Sequence, residues 1–153
     1  MPIVALDVDL RKIYAVSEDK VILTKAEPDP IKVINAISAY MGGALSNTKT
    51  ILIEVASPVM YHSGPGAAFN TVRWALWNIA AASHISLHMG RAGYNVLVAP
   101  SHVWTKGHNL KVRHDVAKCT QKQKDLRECE AMMYYYHANP TAWLPLPEYL
   151  GNL

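Results

Sequence analysis

The sequence predicts an α/β domain in which helices cover both faces of a mixed β-sheet. Three observations carry this prediction: short apolar segments bounded by turn residues, longer segments with a helical apolar period, and the order in which the two alternate. A chain of 153 residues that is 50% hydrophobic has room for one sizeable core. We therefore expect residues 1–153 to form a single domain.

The opening of the chain predicts three antiparallel strands. Residues 2–8 are an apolar run, residues 12–16 alternate between apolar and polar side chains, and residues 21–24 follow a turn at residues 17–20. Connections this short are typical of strands that pair in succession. These segments form the antiparallel half of a predicted five-stranded sheet.

A helix and a fourth strand come next. Asp29 and Pro30 supply an N-cap and a first helical residue. The buried face of this helix is predicted from an apolar stripe: Ile31, Ile34, Ile37 and Met41. Residues 50–56 then predict a strand, and residues 57–66 a loop rich in Pro and Gly.

The second half of the chain predicts two helices and a fifth strand. A long helix is expected at residues 67–91, a strand at 94–99 and a last helix at 124–137. The apolar face of the long helix is predicted from its spacing: Trp74, Trp77, Ala81 and Ile85. Residues 139–153 contain three prolines and are expected to form a C-terminal tail that packs on the surface.

Four acidic residues predict a metal site. Asp7 and Glu54 each end an apolar strand, where a carboxylate carries a desolvation cost that a cation offsets. Asp125 and Glu128 lie about 60° apart on one face of the last helix, the face that points to the core. Carboxylates in this number suit two Mg²⁺ or Mn²⁺ ions and phosphoryl displacement. Asp9 shares a strand face with Asp7 and is either an extra ligand or a turn residue.

Positive charge is concentrated just before the last helix. Residues 101–124 contain one acid, Asp115, and six basic residues: Lys106, Lys111, Arg113, Lys118, Lys122 and Lys124. This segment is either a solvated face or a binding surface for a polyanion such as nucleic acid. His114 is either exposed or close enough to the site to assist proton transfer or bind phosphate. Tyr61, in the 57–66 loop, either packs locally or stacks on a base.

Four motifs of the chain resemble the RuvC-type Holliday junction resolvases of the RNase H-like superfamily, most closely the compact bacteriophage enzymes. The motifs are Ala-Leu-Asp7, Ile-Glu54, Ala-Pro100 followed by Val103-Trp-Thr-Lys106-Gly, and Asp125-x-x-Glu128. They span most of residues 3–137. Two positions depart from the family pattern, since Asp9 stands where a Gly is common and Glu128 replaces the usual second Asp of the last motif.

The resemblance implies an RNase H-like sheet of three antiparallel strands followed by two parallel ones. It also implies a homodimeric endonuclease that uses Mg²⁺ or Mn²⁺ to nick two opposing strands of a four-way DNA junction. The implied metal ligands and catalytic residues are Asp7, Glu54, Asp125 and Glu128. Lys106 and Lys111 are then expected close to the scissile or neighbouring phosphates, and Trp74 and Trp77 lie either at the dimer face or in the core.

Two other functions remain open from the sequence. One is an RNase H-like nuclease that acts on RNA or on a hybrid, such as a ribosomal RNA processing enzyme. The other is a junction-binding module without catalytic turnover. The sequence contains no apolar run long enough to span a membrane and no signal peptide, so we expect a cytoplasmic protein of a bacterium or a phage-infected cell.

Overall fold

The architecture is a mixed sheet with helices packed on it, seen in a computed structural model that describes residues 3–9, 12–17, 28–41, 50–56, 65–100 and 121–152. The strands are β1 (Ile3–Asp9), β2 (Lys12–Ser17), β3 (Thr50–Val55) and β4 (Asn95–Pro100). The α-helices are α1 (Pro30–Met41), α2 (Pro65–Arg91), α3 (Gln121–Ala138) and α4 (Leu146–Gly151). A 3₁₀ helix, Pro140–Ala142, precedes α4.

The four strands form one sheet in the order β2-β1-β3-β4. β1 is antiparallel to β2 and parallel to β3, and β3 is parallel to β4. This confirms the predicted α/β class and the mixed sheet. The predicted count of five strands, three of them antiparallel, is not matched, because the described sheet has four strands and one antiparallel pair. Residues 21–24, the predicted third strand, lie outside the described residues.

Side-chain alternation divides the core between the two faces of the sheet. On one face, Leu6 and Ile53 pack with buried residues of α1, α2 and α4. On the other face, Ala5 and Leu52 pack with Cys129 and other buried residues of α3. Since each strand contributes apolar side chains to both clusters, the central strands are buried on both sides. Helices on both faces are therefore confirmed.

Helix α1 begins where the sequence predicts, but its buried face differs in part from the predicted apolar stripe. The N–H of Ile31 donates to Oδ1 of Asp29 at 2.9 Å, as expected of an N-cap. Val33 and Ile37 are completely buried, but Ile31 is 53% exposed, so its predicted burial is wrong. The apolar side chains of α1 cover more than one face, and packing against the sheet selects the Val33 and Ile37 side.

The buried face of α2 is also shifted from the predicted one. Ala81 and Ile85 are buried as expected, while Trp74 and Trp77 are only half-buried. Asn78 is 0% exposed and occupies the position where an apolar residue is expected. The helix therefore directs a polar side chain toward the sheet and leaves both Trp side chains partly exposed.

The C-terminal segment contributes to the core, which corrects its description as a surface tail. The N–H of Val98 donates to the C=O of Leu144 at 2.7 Å, and the N–H of Leu144 returns a bond to Val98 at 3.1 Å. This antiparallel bridge attaches the segment to the outer edge of β4. Trp143, Leu146 and Tyr149 are all buried. Pro140 begins the 3₁₀ helix and Pro145 directly precedes α4, so the prolines do not keep the segment out of the core.

Within the described residues, no helix combines the length and the hydrophobicity needed to cross a membrane. The longest helix, α2, spans 27 residues but alternates apolar residues with polar and basic ones.

Candidate metal centre

Asp7 and Glu54 lie side by side on the two central strands, β1 and β3. The last residue pair of their parallel register is Leu6 with Ile53, and the two acids are the next residues of each strand. Leu6 and Ile53 face the α1, α2 and α4 side of the sheet. Because side chains alternate along a strand, Asp7 and Glu54 project from the opposite face, which α3 covers.

The third carboxylate comes from α3, which packs on β1 and β2. Glu128 directly precedes Cys129, which is completely buried in the cluster between α3 and the sheet. Carboxylate oxygens of Asp7, Glu54 and Glu128 all lie within 4.8 Å of one another. In the part of the chain that the structure describes, no other group of three His, Cys, Asp or Glu side chains is this close. Three of the four acids singled out by sequence are thus brought together from three separate elements.

Burial and charge make this cluster a suitable cation site. Asp7 is only 8% exposed, and Glu54 and Glu128 are half-buried. Three carboxylates at this spacing repel one another, and burial removes the water that would otherwise screen them. A hard divalent cation offsets both costs, and Mg²⁺ and Mn²⁺ prefer carboxylate oxygens. The donor set therefore fits such a cation, which Asp7, Glu54 and Glu128 would hold together.

Two further acids belong to the same elements. Asp125 lies on α3 three residues before Glu128, and Asp9 is the last residue of β1. The side chains of both are outside what the structure describes. The other predicted site residues also lie outside the described residues: Tyr61, Lys106, Lys111, Arg113, His114 and Lys118.

Sequence reasoning missed Asn78, a polar residue of α2 that lies directly behind the cluster. Its Nδ2 donates to the C=O of Glu54 at 2.9 Å and to the C=O of Val8 at 3.2 Å. Its Oδ1 accepts the N–H of Ala56 at 2.8 Å. The available signal is a single Asn on the apolar face of α2, one turn before Ala81 and Ala82. A polar side chain at such a position needs a buried partner.

No protein-family model matches the chain, and neither a curated protein nor a solved structure matches it.

Proposed function

We propose that the chain is a metal-dependent endonuclease that resolves four-way DNA junctions by paired nicks, as RuvC-type enzymes of the RNase H-like superfamily do. The observation that carries the proposal is the convergence of Asp7, Glu54 and Glu128 from two central strands and a helix. Oxygen-only donor sets of this kind suit Mg²⁺ or Mn²⁺. Asp125, about one helical turn before Glu128, is the proposed fourth ligand.

Two divalent cations held by these carboxylates would supply the charge stabilisation that phosphodiester hydrolysis needs. The residues of the chain hold and orient these ions. Asp7, which is nearly buried in a central strand, is the most firmly positioned ligand. Glu54 and Glu128 are half-buried, so their side of the cluster faces the solvent from which a phosphate arrives.

The proposed substrate is a nucleic acid, because the basic residues of segment 101–124 lie just before α3 or at its start, and α3 carries Glu128. The resemblance to junction resolvases makes branched DNA the proposed form of that nucleic acid. Lysine and arginine side chains that neutralise phosphates provide affinity independent of base sequence. Lys106, Lys111, Arg113 and Lys118 are proposed for this role. Tyr61 is proposed to stack on a base at the junction.

The finer fold assignment also belongs to this proposal. In it, the mixed sheet formed by β1, β2, β3 and β4 belongs to an RNase H-like fold. Two symmetric nicks need two active sites, so the proposed active form is a homodimer. Along α2, the exposed side chains of Val72, Leu76 and Leu87 lie on one side of the helix and offer an apolar surface for a second copy.

Cleavage of a synthetic four-way junction tests the proposal. With Mg²⁺ or Mn²⁺ present, we expect two nicks placed symmetrically on opposing strands, and no product when the cation is chelated. A linear duplex of the same sequence is the matched control and is expected to be cut far more slowly. Equal cutting of both DNAs would contradict junction selectivity, and faster cutting of an RNA–DNA hybrid would identify a ribonuclease instead. Metal-independent binding without any cutting would identify a binding module.

A further inference from the structure

The hydrogen-bond ladder between the two central strands ends before the strands do. The last β1–β3 pair is Leu6 with Ile53, yet β1 continues to Asp9 and β3 to Val55. Over these last residues each strand stays paired with its outer neighbour, β1 with β2 and β3 with β4. Only the pairing between β1 and β3 stops here, and it stops just before the two residues that carry the acids, Asp7 and Glu54.

The side-chain amide of Asn78 replaces the next inter-strand hydrogen bonds between β1 and β3. If the parallel register continued, Val8 would lie opposite Val55 and the N–H of Ala56 would donate to the C=O of Val8. Instead, Oδ1 of Asn78 accepts the Ala56 N–H at 2.8 Å, and Nδ2 donates to the Val8 C=O at 3.2 Å. The same Nδ2 donates to the C=O of Glu54 at 2.9 Å. One buried amide thus bridges both strand ends.

This bridge fixes how far apart the two strand acids stand. Strands joined by a ladder lie about 4.8 Å apart, and a side-chain amide inserted between them holds their ends farther apart. Asn78 is bonded to the carbonyl of Glu54 itself and to that of Val8, the residue after Asp7. Its own position is set by α2, where Ala81, Ala82 and Ile85 are buried against the sheet.

We infer that Asn78 is a positioning residue that sets the separation of Asp7 and Glu54 and thereby the affinity of the cluster for a divalent cation. The inference rests on the proposed metal centre and adds to it a residue on the opposite face of the sheet. Asn78 acts through the backbone at the ends of β1 and β3, since within the described residues its amide bonds only to main-chain groups. Groups that orient metal ligands in this indirect way typically change metal affinity when they are altered.

Tyr149 provides a matched control because it makes a comparable buried bond at the same strand end. Its hydroxyl donates to the C=O of Ala56 at 3.0 Å, and its side chain is 8% exposed. That bond does not bridge β1 and β3. Tyr149→Phe therefore removes a buried hydrogen bond without releasing the two strands from each other.

The test is a titration of the full chain with Mn²⁺ alone, in which free Mn²⁺ is counted by its electron paramagnetic resonance signal. In Asn78→Ala, the Ala56 N–H is free to reach the Val8 carbonyl and the strand ends close together. We expect Mn²⁺ affinity to fall by about tenfold to a hundredfold in this variant. Tyr149→Phe is expected to retain the wild-type affinity while lowering the unfolding midpoint.

The outcomes separate this inference from the proposed function. If the wild type binds no Mn²⁺, the metal centre itself is wrong and the role of Asn78 is overturned with it. If the wild type binds and folded Asn78→Ala binds equally well, only the positioning role is overturned. Should Asn78→Ala fail to fold, Asn78→Ser, which keeps one hydrogen-bonding group, takes its place in the titration. Failure of both variants to fold assigns Asn78 to stability alone and also overturns the inference.

Discussion

Replacement of Asp7 by Asn is expected to abolish junction cleavage while junction binding persists. The substitution keeps the shape of a side chain that is 8% exposed but removes the charge that the proposed cation needs. Metal-ion stabilisation of a phosphoryl-transfer transition state is worth several kcal/mol, so the loss in rate is about a thousandfold or more. Binding depends mainly on basic side chains elsewhere in the chain and is expected to change little. Single-turnover cleavage and gel-shift titration of the same junction measure the two quantities.

Glu130→Gln is the control for this prediction, because Glu130 is an exposed acid on α3 that is not part of the cluster. It removes one negative charge from an exposed position outside the cluster, and we expect wild-type cleavage. Thermal unfolding without metal provides a second check. An unfolding midpoint of Asp7→Asn close to that of the wild type would show that the variant is folded, so that a loss of cutting reports on function. Cleavage by Asp7→Asn within about tenfold of the wild type would exclude Asp7 as a catalytic ligand.

Replacement of Trp143 by Ala is expected to destabilise the fold more than any substitution at a helix surface. Trp143 is 3% exposed and packs with Ala5, Leu97 and Met132 between α3 and the sheet. Truncating a buried Trp to Ala typically costs about 3–5 kcal/mol. The indole Nε1 is buried and has no hydrogen-bond partner in the described part of the chain, so its burial already costs free energy in the wild type. We therefore expect the loss in free energy of unfolding to lie near the lower end of that range, at about 3 kcal/mol. Urea unfolding measures this difference.

The control is Leu150→Ala, a truncation in the same C-terminal segment. Leu150 is 42% exposed, so its truncation is expected to cost less than about 1 kcal/mol. If the segment only packed on the surface, both variants would lose a similarly small amount of unfolding free energy. Equal effects of Trp143→Ala and Leu150→Ala would therefore contradict the contribution of the C-terminal segment to the core.

The strands and their acids were predictable because their signals are local. The apolar runs before Asp7 and Glu54 identify buried parallel strands, and parallel strands place their carboxyl ends at one edge of a sheet. Helical phase selects Glu128 over Glu130, since Cys129 and Met132 identify the buried side of α3. Each of these predictions depends only on the spacing of residues within one segment. That spacing can be read directly from the sequence.

Burial on α1 and α2 was less predictable because it depends on how each helix sits on the sheet. Ile31 satisfies the apolar period but is exposed, whereas Val33 is buried. Periodicity favours Trp74 and Trp77 over Asn78, yet Asn78 is the residue that is fully buried. Its burial is favourable only because three main-chain groups at the strand ends need partners, and this need arises from the tertiary arrangement.

The position of the C-terminal segment could not be predicted from the sequence either, for a different reason. Prolines are typical of loops and sheet edges, and here they stand at the beginnings of the 3₁₀ helix and of α4. The sequence alone does not reveal that the outer edge of β4 is open to Leu144 or that α4 places Tyr149 against the end of β3. Long-range pairing of this kind depends on residues more than 40 positions apart.

Divalent-cation binding by Glu128 is the most direct test of the account, because Glu128 is the ligand that joins α3 to the two strand acids. Calorimetric titration of the purified chain with Mn²⁺ is expected to show saturable binding in the wild type and in Glu130→Gln. In Glu128→Gln, affinity is expected to fall by at least the loss of about tenfold to hundredfold that is typical of groups that only orient a ligand, because one of the ligating carboxylates is itself lost. Equal affinity in Glu128→Gln and Glu130→Gln, or no binding by the wild type, would contradict the assignment of Asp7, Glu54 and Glu128 as a metal centre.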